Sequence, residues 1–135
     1  MTDTVYVLDA SAILAAFFDE PGADMVAERM SGGLLSAVNY QEVVAKLVDR
    51  GTPADKIVDI MSHLDVEVVP VDRTQAMAAG LLRAQTRDTG LSLGDRTCLA
   101  LAMSRQATAL TADRTCLEIA DTAGVQVKAI RGRAF

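Results

Sequence analysis

The sequence predicts an α/β protein, a three-layer α/β/α sandwich on a mostly parallel central sheet. Three observations predict it. Short β-branched runs alternate with Ala- and Leu-rich stretches of helical spacing along all 135 residues. Half of the residues are apolar and 23% are charged, a balance that excludes a disordered chain. No linker, low-complexity tract or solenoid period divides the sequence, so one domain over residues 1–135 is expected, large enough to bury a core.

The elements follow in order. Thr4-Val5-Tyr6-Val7-Leu8 is a β-branched and aromatic strand, Asp9-Ala10-Ser11 breaks it, and Ala12 to Phe18 is a helix. Glu20-Pro21-Gly22 is a loop before a second helix, Ala23 to Met30. Leu34-Leu35-Ser36-Ala37 reads as a short buried strand feeding a helix from Val38 to Asp49, closed by Gly51. Thr52 as N-cap, Pro53 at the first helical position and Asp55 at the third start the next helix. Val66 to Val71 is the clearest strand, and a single helix is expected from Asp72 to Arg87, ended by Asp88-Thr89-Gly90. Asp95 opens a helix over Arg96 to Arg105, Thr108 to Thr111 is a strand, Asp113 opens a helix to Ala123, and Val125 to Val127 is the last strand. Asp95-Arg96-Thr97-Cys98-Leu99 recurs as Asp113-Arg114-Thr115-Cys116-Leu117, an echo that a shared helix-start preference explains as well as duplication does.

Composition removes several function classes. No uncharged apolar run approaches the roughly 18 residues of a membrane span. Met1-Thr2-Asp3-Thr4 carries no basic start to a secretory signal, which makes the cytoplasm the expected location. His63, Cys98 and Cys116 are too few for a closed zinc site or a disulfide framework. His63 falls late in the helix Ile57 to Leu64, where a cation near the C-terminal dipole is an ordinary structural choice. A net charge of −5 argues against one broad basic face for nucleic acid. Residues 1–30 carry that whole excess, with six acids against Arg29. Aromatics are only 4% of the chain and Trp is absent, which speaks against a stacking platform for single-stranded bases.

In an open parallel sheet, ligands bind beyond the carboxyl ends of the strands. Acids recur there: Asp9 after the first strand, Glu42 in the opening part of the next helix, Asp95 at a helix start, and Asp113 after the strand Thr108 to Thr111. Singly, Asp95 and Asp113 suit helix caps, and Asn39-Tyr40-Gln41-Glu42 resembles a capping box. Together, four unpaired carboxylates would raise one another's pKa and make little sense without a cation. Oxygen-only ligands suit Mg²⁺ or Mn²⁺, one or two ions, and metal-assisted phosphodiester chemistry that needs no side-chain nucleophile. Ser11 and Thr111 flank this pocket as hydrogen-bonding supports or as turn residues, and Asn39 either orients Glu42 or caps its helix. Arg96 and Arg114 each follow a candidate ligand at a helix start, where they either hold phosphate, pair with the acids, or simply face water. Lys128, Arg131 and Arg133 make a basic tail with either no role or a backbone contact. Without the four acids the chain holds 13 bases against 14 acids, and two divalent ions would bring the intact chain to the same −1.

The segments Val7-Leu8-Asp9-Ala10-Ser11-Ala12, Ser36-Ala37-Val38-Asn39-Tyr40-Gln41-Glu42-Val43, Gly90-Leu91-Ser92-Leu93-Gly94-Asp95-Arg96 and Leu110-Thr111-Ala112-Asp113-Arg114 resemble, in order, the PIN-domain signature, most closely that of VapC-type toxins of bacterial type II toxin–antitoxin modules. The resemblance covers essentially the whole chain. It implies an Mg²⁺- or Mn²⁺-dependent endoribonuclease cutting structured RNA, tRNA or ribosomal RNA, with Asp9, Glu42, Asp95 and Asp113 as its acidic quartet and Ser11 and Thr111 as supports. It also implies a homodimer held inactive by a VapB-type antitoxin, with DNA reached only through that antitoxin. Two other classes remain open on the sequence: a phosphoacceptor or phosphotransferase domain with Asp9 as nucleophile, and a catalytically silent PIN-like binding module. Ser11 stands where a haloacid-dehalogenase site would carry a second Asp, which weighs against the first.

Overall fold

The computed structural model describes residues 4–130, so Arg131 and Arg133 of the basic tail lie outside it. Five strands form one sheet in the order β3-β2-β1-β4-β5, every pairing parallel. They are β1 (Tyr6–Leu8), β2 (Gly33–Ser36), β3 (Val66–Val69), β4 (Thr108–Thr111) and β5 (Gln126–Ala129). Between them run α1 (Ala10–Phe17), α2 (Ala23–Met30), α3 (Ala37–Asp49), α4 (Ala54–Ser62), α5 (Arg73–Leu81), α6 (Arg83–Thr86), α7 (Leu93–Arg105) and α8 (Thr115–Ala123). The three-layer arrangement follows from strand alternation. Val7, Leu34 and Ala109 point to a core shared with α7 and α8, whereas Leu8, Leu35 and Leu110 point to one shared with α1, α3 and α4. Because both faces are covered, the central strands read as continuous apolar runs. No helix among the described residues is long and apolar enough to cross a membrane.

Several boundaries depart from the sequence expectations, each for a local reason. β3 stops at Val69 because Pro70 has no N–H for the ladder. The helix expected over Asp72 to Arg87 is two pieces broken at Leu82: Gly80 weakens the helix, and the Thr86 hydroxyl donates to the Leu82 carbonyl at 2.9 Å. Pro53, not Thr52, is the N-cap of α4, and no side chain caps it. The last strand lies one to two residues later than expected, at Gln126–Ala129, after Gly124 at φ +71° closes α8. His63 caps the C-terminus of α4, its Nδ1 lying 2.8 Å from the Asp59 carbonyl, on an exposed face far from the strand ends that hold the acids.

The most consequential correction concerns α7. It begins at Leu93, with Ser92 as N-cap, so Asp95 occupies the third helical position rather than opening the helix. Ser92 and Asp95 form a reciprocal capping box, Asp95 N donating to Ser92 Oγ at 3.1 Å and Ser92 N donating to Asp95 Oδ2 at 3.0 Å. Likewise Ser36, not Asn39, caps α3, accepting from Val38 N. Asn39 and Glu42 are thus released from capping.

Candidate metal centre

The chain turns from β1 leftward to β2 and β3 and later rightward to β4 and β5, which makes the β1–β4 boundary the topological switch point of the sheet. Asp9 follows β1 and Asp113 follows β4, so both stand at the crevice this reversal opens. Asp9 N donates to the Leu110 carbonyl at 2.9 Å, which ties the two strand ends together. Asp9 is the N-cap of α1 by backbone geometry, yet its carboxylate makes no cap hydrogen bond. Instead Oδ2 accepts from the Ser11 hydroxyl at 2.8 Å and the Thr111 hydroxyl at 3.1 Å. These hydroxyls are themselves fixed, Ser11 Oγ accepting from Ala112 N at 3.0 Å and Thr111 Oγ1 from Asp113 N at 2.9 Å. The second Asp9 oxygen, Oδ1, is left with Asn39 Nδ2 at 3.5 Å, and Asp9 lines the pocket.

Asn39, fully buried one turn before Glu42, supplies the next wall. Its Nδ2 donates to Glu42 Oε1 at 2.7 Å and to the Gly94 carbonyl at 3.1 Å, with Asp9 Oδ1 at 3.5 Å. Its Oδ1 is buried and has no partner among the described residues. Gly94 is the residue that lets Glu42 in: a Cβ there would land on the Glu42 carboxylate, within 2.5 Å of Cδ. Asp95 approaches from α7 and Asp113 from the loop between β4 and α8, which begins at Thr115 rather than at Asp113, and with Cys116 they place ligand-type atoms within 4.8 Å of one another. Asp113 Oδ1 accepts from Thr115 N at 2.9 Å. A pocket of about 340 Å³ is lined by Asp9, Glu42, Asp95 and Asp113 together.

Burial and mutual repulsion govern the electrostatics. Asp9 is pushed up from 3.8 to about 6, chiefly by desolvation and next by the charge of Asp95, with Glu42 adding; the Ser11 and Thr111 hydroxyls oppose the shift. Asp95 is raised by desolvation, against its Ser92 hydrogen bonds, with Asp113 adding repulsion. Behind them the Cys98 and Cys116 thiols are raised by burial first and by the carboxylates second, which keeps both inert as nucleophiles. No Lys or Arg forms an ion pair with any of the four acids among the described residues.

The two arginines go elsewhere. Arg96 turns back to donate to the Leu91 carbonyl at 3.2 Å and lines a separate cavity beside α5, and Arg114 is exposed. Neither pairs with the acids. Sequence reasoning does not place three neighbours of the pocket there: Gly94, Cys116 and Lys46, the last of which lines the pocket from α3. The repeated Asp-Arg-Thr-Cys is the one sequence signal among them, since its two copies deliver Asp95 and Asp113 to one place with a buried thiol three residues behind each.

The family model for the PIN domain matches residues 6–122. The chain belongs to the PIN-domain family. Solved structures that share this PIN fold include a toxin–antitoxin complex from Klebsiella pneumoniae, 16% identical with a TM-score of 0.72 over 95% of this chain and 99% of that one. A DNA-bound VapBC from Salmonella typhimurium is also 16% identical, with a TM-score of 0.73 over the same shares. VapC20 of Mycobacterium tuberculosis, a toxin that cleaves the sarcin-ricin loop, is 17% identical with a TM-score of 0.67 over 84% of this chain and 93% of that one. A comparison with curated protein sequences finds no match.

Proposed function

We propose that this PIN domain, spanning residues 1–135, is a metal-dependent endoribonuclease toxin of the VapC type, cutting structured RNA such as tRNA or ribosomal RNA. The observation that carries the reading is the convergence of Asp9, Glu42, Asp95 and Asp113 on one pocket at the switch point, with no cation paired to them among the described residues. The donor set fits Mg²⁺ or Mn²⁺: four carboxylates, one raised to about 6 by burial and its neighbours, beside the unpartnered Asn39 Oδ1. An all-oxygen site of this kind, holding one or two such ions, would supply an activated water for phosphodiester hydrolysis and charge to stabilise the leaving oxygen.

The chain's own residues do the positioning. Ser11 and Thr111 fix one Asp9 oxygen and aim the other, and Asn39 holds Glu42 against Gly94. The Ser92 capping box sets the depth of Asp95. Asp9 as phosphoacceptor is disfavoured by the same geometry, since a nucleophile with 4% exposure and one oxygen held by two hydroxyls has little access to a phosphoryl donor. By the fold it shares with VapBC proteins, we assign it a VapB-type antitoxin as partner, a homodimeric state, and contact with DNA only through that antitoxin. The test is cleavage of RNA by the purified chain with Mn²⁺, compared with Asp9→Asn and Asp95→Asn. The reading expects both variants to lose cutting and growth arrest on induction; retained cutting in both defeats it.

A further inference from the structure

The acidic pocket does not end at the acids. Past Ser11, Leu14 and Asp113 it continues into a neighbouring cavity of about 530 Å³, and Lys46 lines both. Arg50 lines the second cavity, its guanidinium 4.0 Å from the centroid of the Phe18 ring. Glu42, Lys46 and Arg50 are spaced four apart along α3 and its C-cap, so they follow one another on one helix face at steps of about 6 Å. That step resembles the advance from one phosphate to the next along an RNA strand.

Among the described residues neither cation has a carboxylate partner. A Glu followed by Lys four residues later is a favourable helix pair. Here the pair does not form, because Asn39 donates to Glu42 at 2.7 Å and holds its carboxylate toward Gly94. Lys46 and Arg50 are exposed and form no ion pair among the described residues. Glu20 and Asp49 also reach the second cavity, so the two cations act as separate points rather than as a broad positive field. Stacking on Phe18 restricts the Arg50 guanidinium in advance, which lowers the ordering cost of a bidentate phosphate contact.

We infer that Lys46 and Arg50 are positioning residues that grip two successive RNA phosphates beside the scissile one, so that the strand leaves the acidic pocket along α3. The inference rests on the nuclease reading and adds to it a direction for the substrate. It is tested by the salt dependence of binding to a labelled RNA hairpin, with Ca²⁺ in place of Mn²⁺ so that the complex persists. Each phosphate contact contributes about 0.7–0.9 to the slope of log affinity against log salt. Lys46→Gln and Arg50→Gln should each lower the slope by about that much and the double variant by about twice it. Lys46→Arg should keep the slope, and Arg105→Gln, at the opposite end of α7, should change nothing. A thermal melt checks folding, and Lys46→Met gives a second uncharged variant of the same length. In Mn²⁺ the same substitutions should raise KM more than they lower kcat.

Unchanged slopes in a protein that still cuts RNA overturn this inference alone. So does a Lys46→Gln protein that binds RNA normally and loses only association with an acidic protein partner. A wild-type chain that neither binds nor cuts RNA overturns both the inference and the nuclease reading.

Discussion

Gly94→Ala is the sharpest single test of the site, because the structure separates its effect on stability from its effect on activity. Gly94 is the second residue of α7 and has no positive φ, so the backbone accepts Ala there. Replacing Gly by Ala in a helix gains up to about 1 kcal/mol of propensity. The three atoms nearest the added Cβ all belong to the Glu42 carboxylate, the far end of a half-buried, flexible side chain. The expected response is that Glu42 swings away and loses its 2.7 Å hydrogen bond from Asn39, a charged bond worth about 1.5–3 kcal/mol. The net loss is thus about 0.5–3 kcal/mol.

Activity should respond far more. A displacement of about 1 Å in a reacting constellation can cost around 100-fold. Gly94→Ala should therefore melt within several degrees of wild type while Mn²⁺-dependent RNA cleavage falls by about two orders of magnitude. Shortening the neighbour, in the double variant Gly94→Ala with Glu42→Asp, should recover part of the loss, since the Asp carboxylate reaches less far toward the new methyl group. Wild-type cleavage in Gly94→Ala would refute the claim that Glu42 works only from this position. A loss of more than about 4 kcal/mol would refute the claim that Glu42 alone absorbs the clash.

Three further outcomes are expected. Asp9, with its carboxyl at about 6 in the fold against 3.8 unfolded, makes the native state bind more protons between those values, so metal-free stability should fall as pH rises from about 4 to 6, by up to about 3 kcal/mol; chemical denaturation across that range checks it, and a rise would contradict the shift. Thr111→Val removes one donor to Asp9 and strands the Asp113 N–H, so it should destabilise by about 1–3 kcal/mol and weaken Mn²⁺ binding in calorimetry. Leu110→Ala, fully buried beneath α1, should cost about 2–5 kcal/mol in denaturant unfolding while leaving Mn²⁺ affinity in the folded protein close to wild type.

Layer order and strand positions were legible because each central strand is covered on both faces and so announces itself as an apolar run. The acids were legible for a related reason: a carboxylate directly after such a run has to emerge at the sheet's carboxyl edge. Other features were not, because they depend on contacts across long sequence separations. Glu42 could be taken for a capping residue until Ser36 was seen to do that work, and Asp95, which does share a capping box with Ser92, shows no local sign that it also lines the pocket. Arg96 follows Asp95 directly, yet one residue along a helix turns a side chain about 100°, which carries it to the α5 side. Gly94 lies 52 positions from Glu42, and no local pattern tells that its missing side chain makes room for that carboxylate.

The pocket's charge is also a folding problem that the chain solves in an uncommon way. Buried carboxylates usually acquire an arginine or lysine, and this chain has 13 such residues to draw on. Among the described residues none is brought to the quartet: Arg96 is tied to the Leu91 carbonyl, Arg50 lies over Phe18, and Lys46 is denied Glu42 by Asn39. What the acids receive instead is two hydroxyls, one amide and backbone N–H groups, which orient them and offset only part of the cost of their burial and mutual repulsion, as the raised Asp9 shows. Such partners fix geometry without cancelling charge. A site arranged this way is poorly neutralised by the described residues, so on the proposed reading metal affinity and the residual strain of the metal-free fold would have one cause.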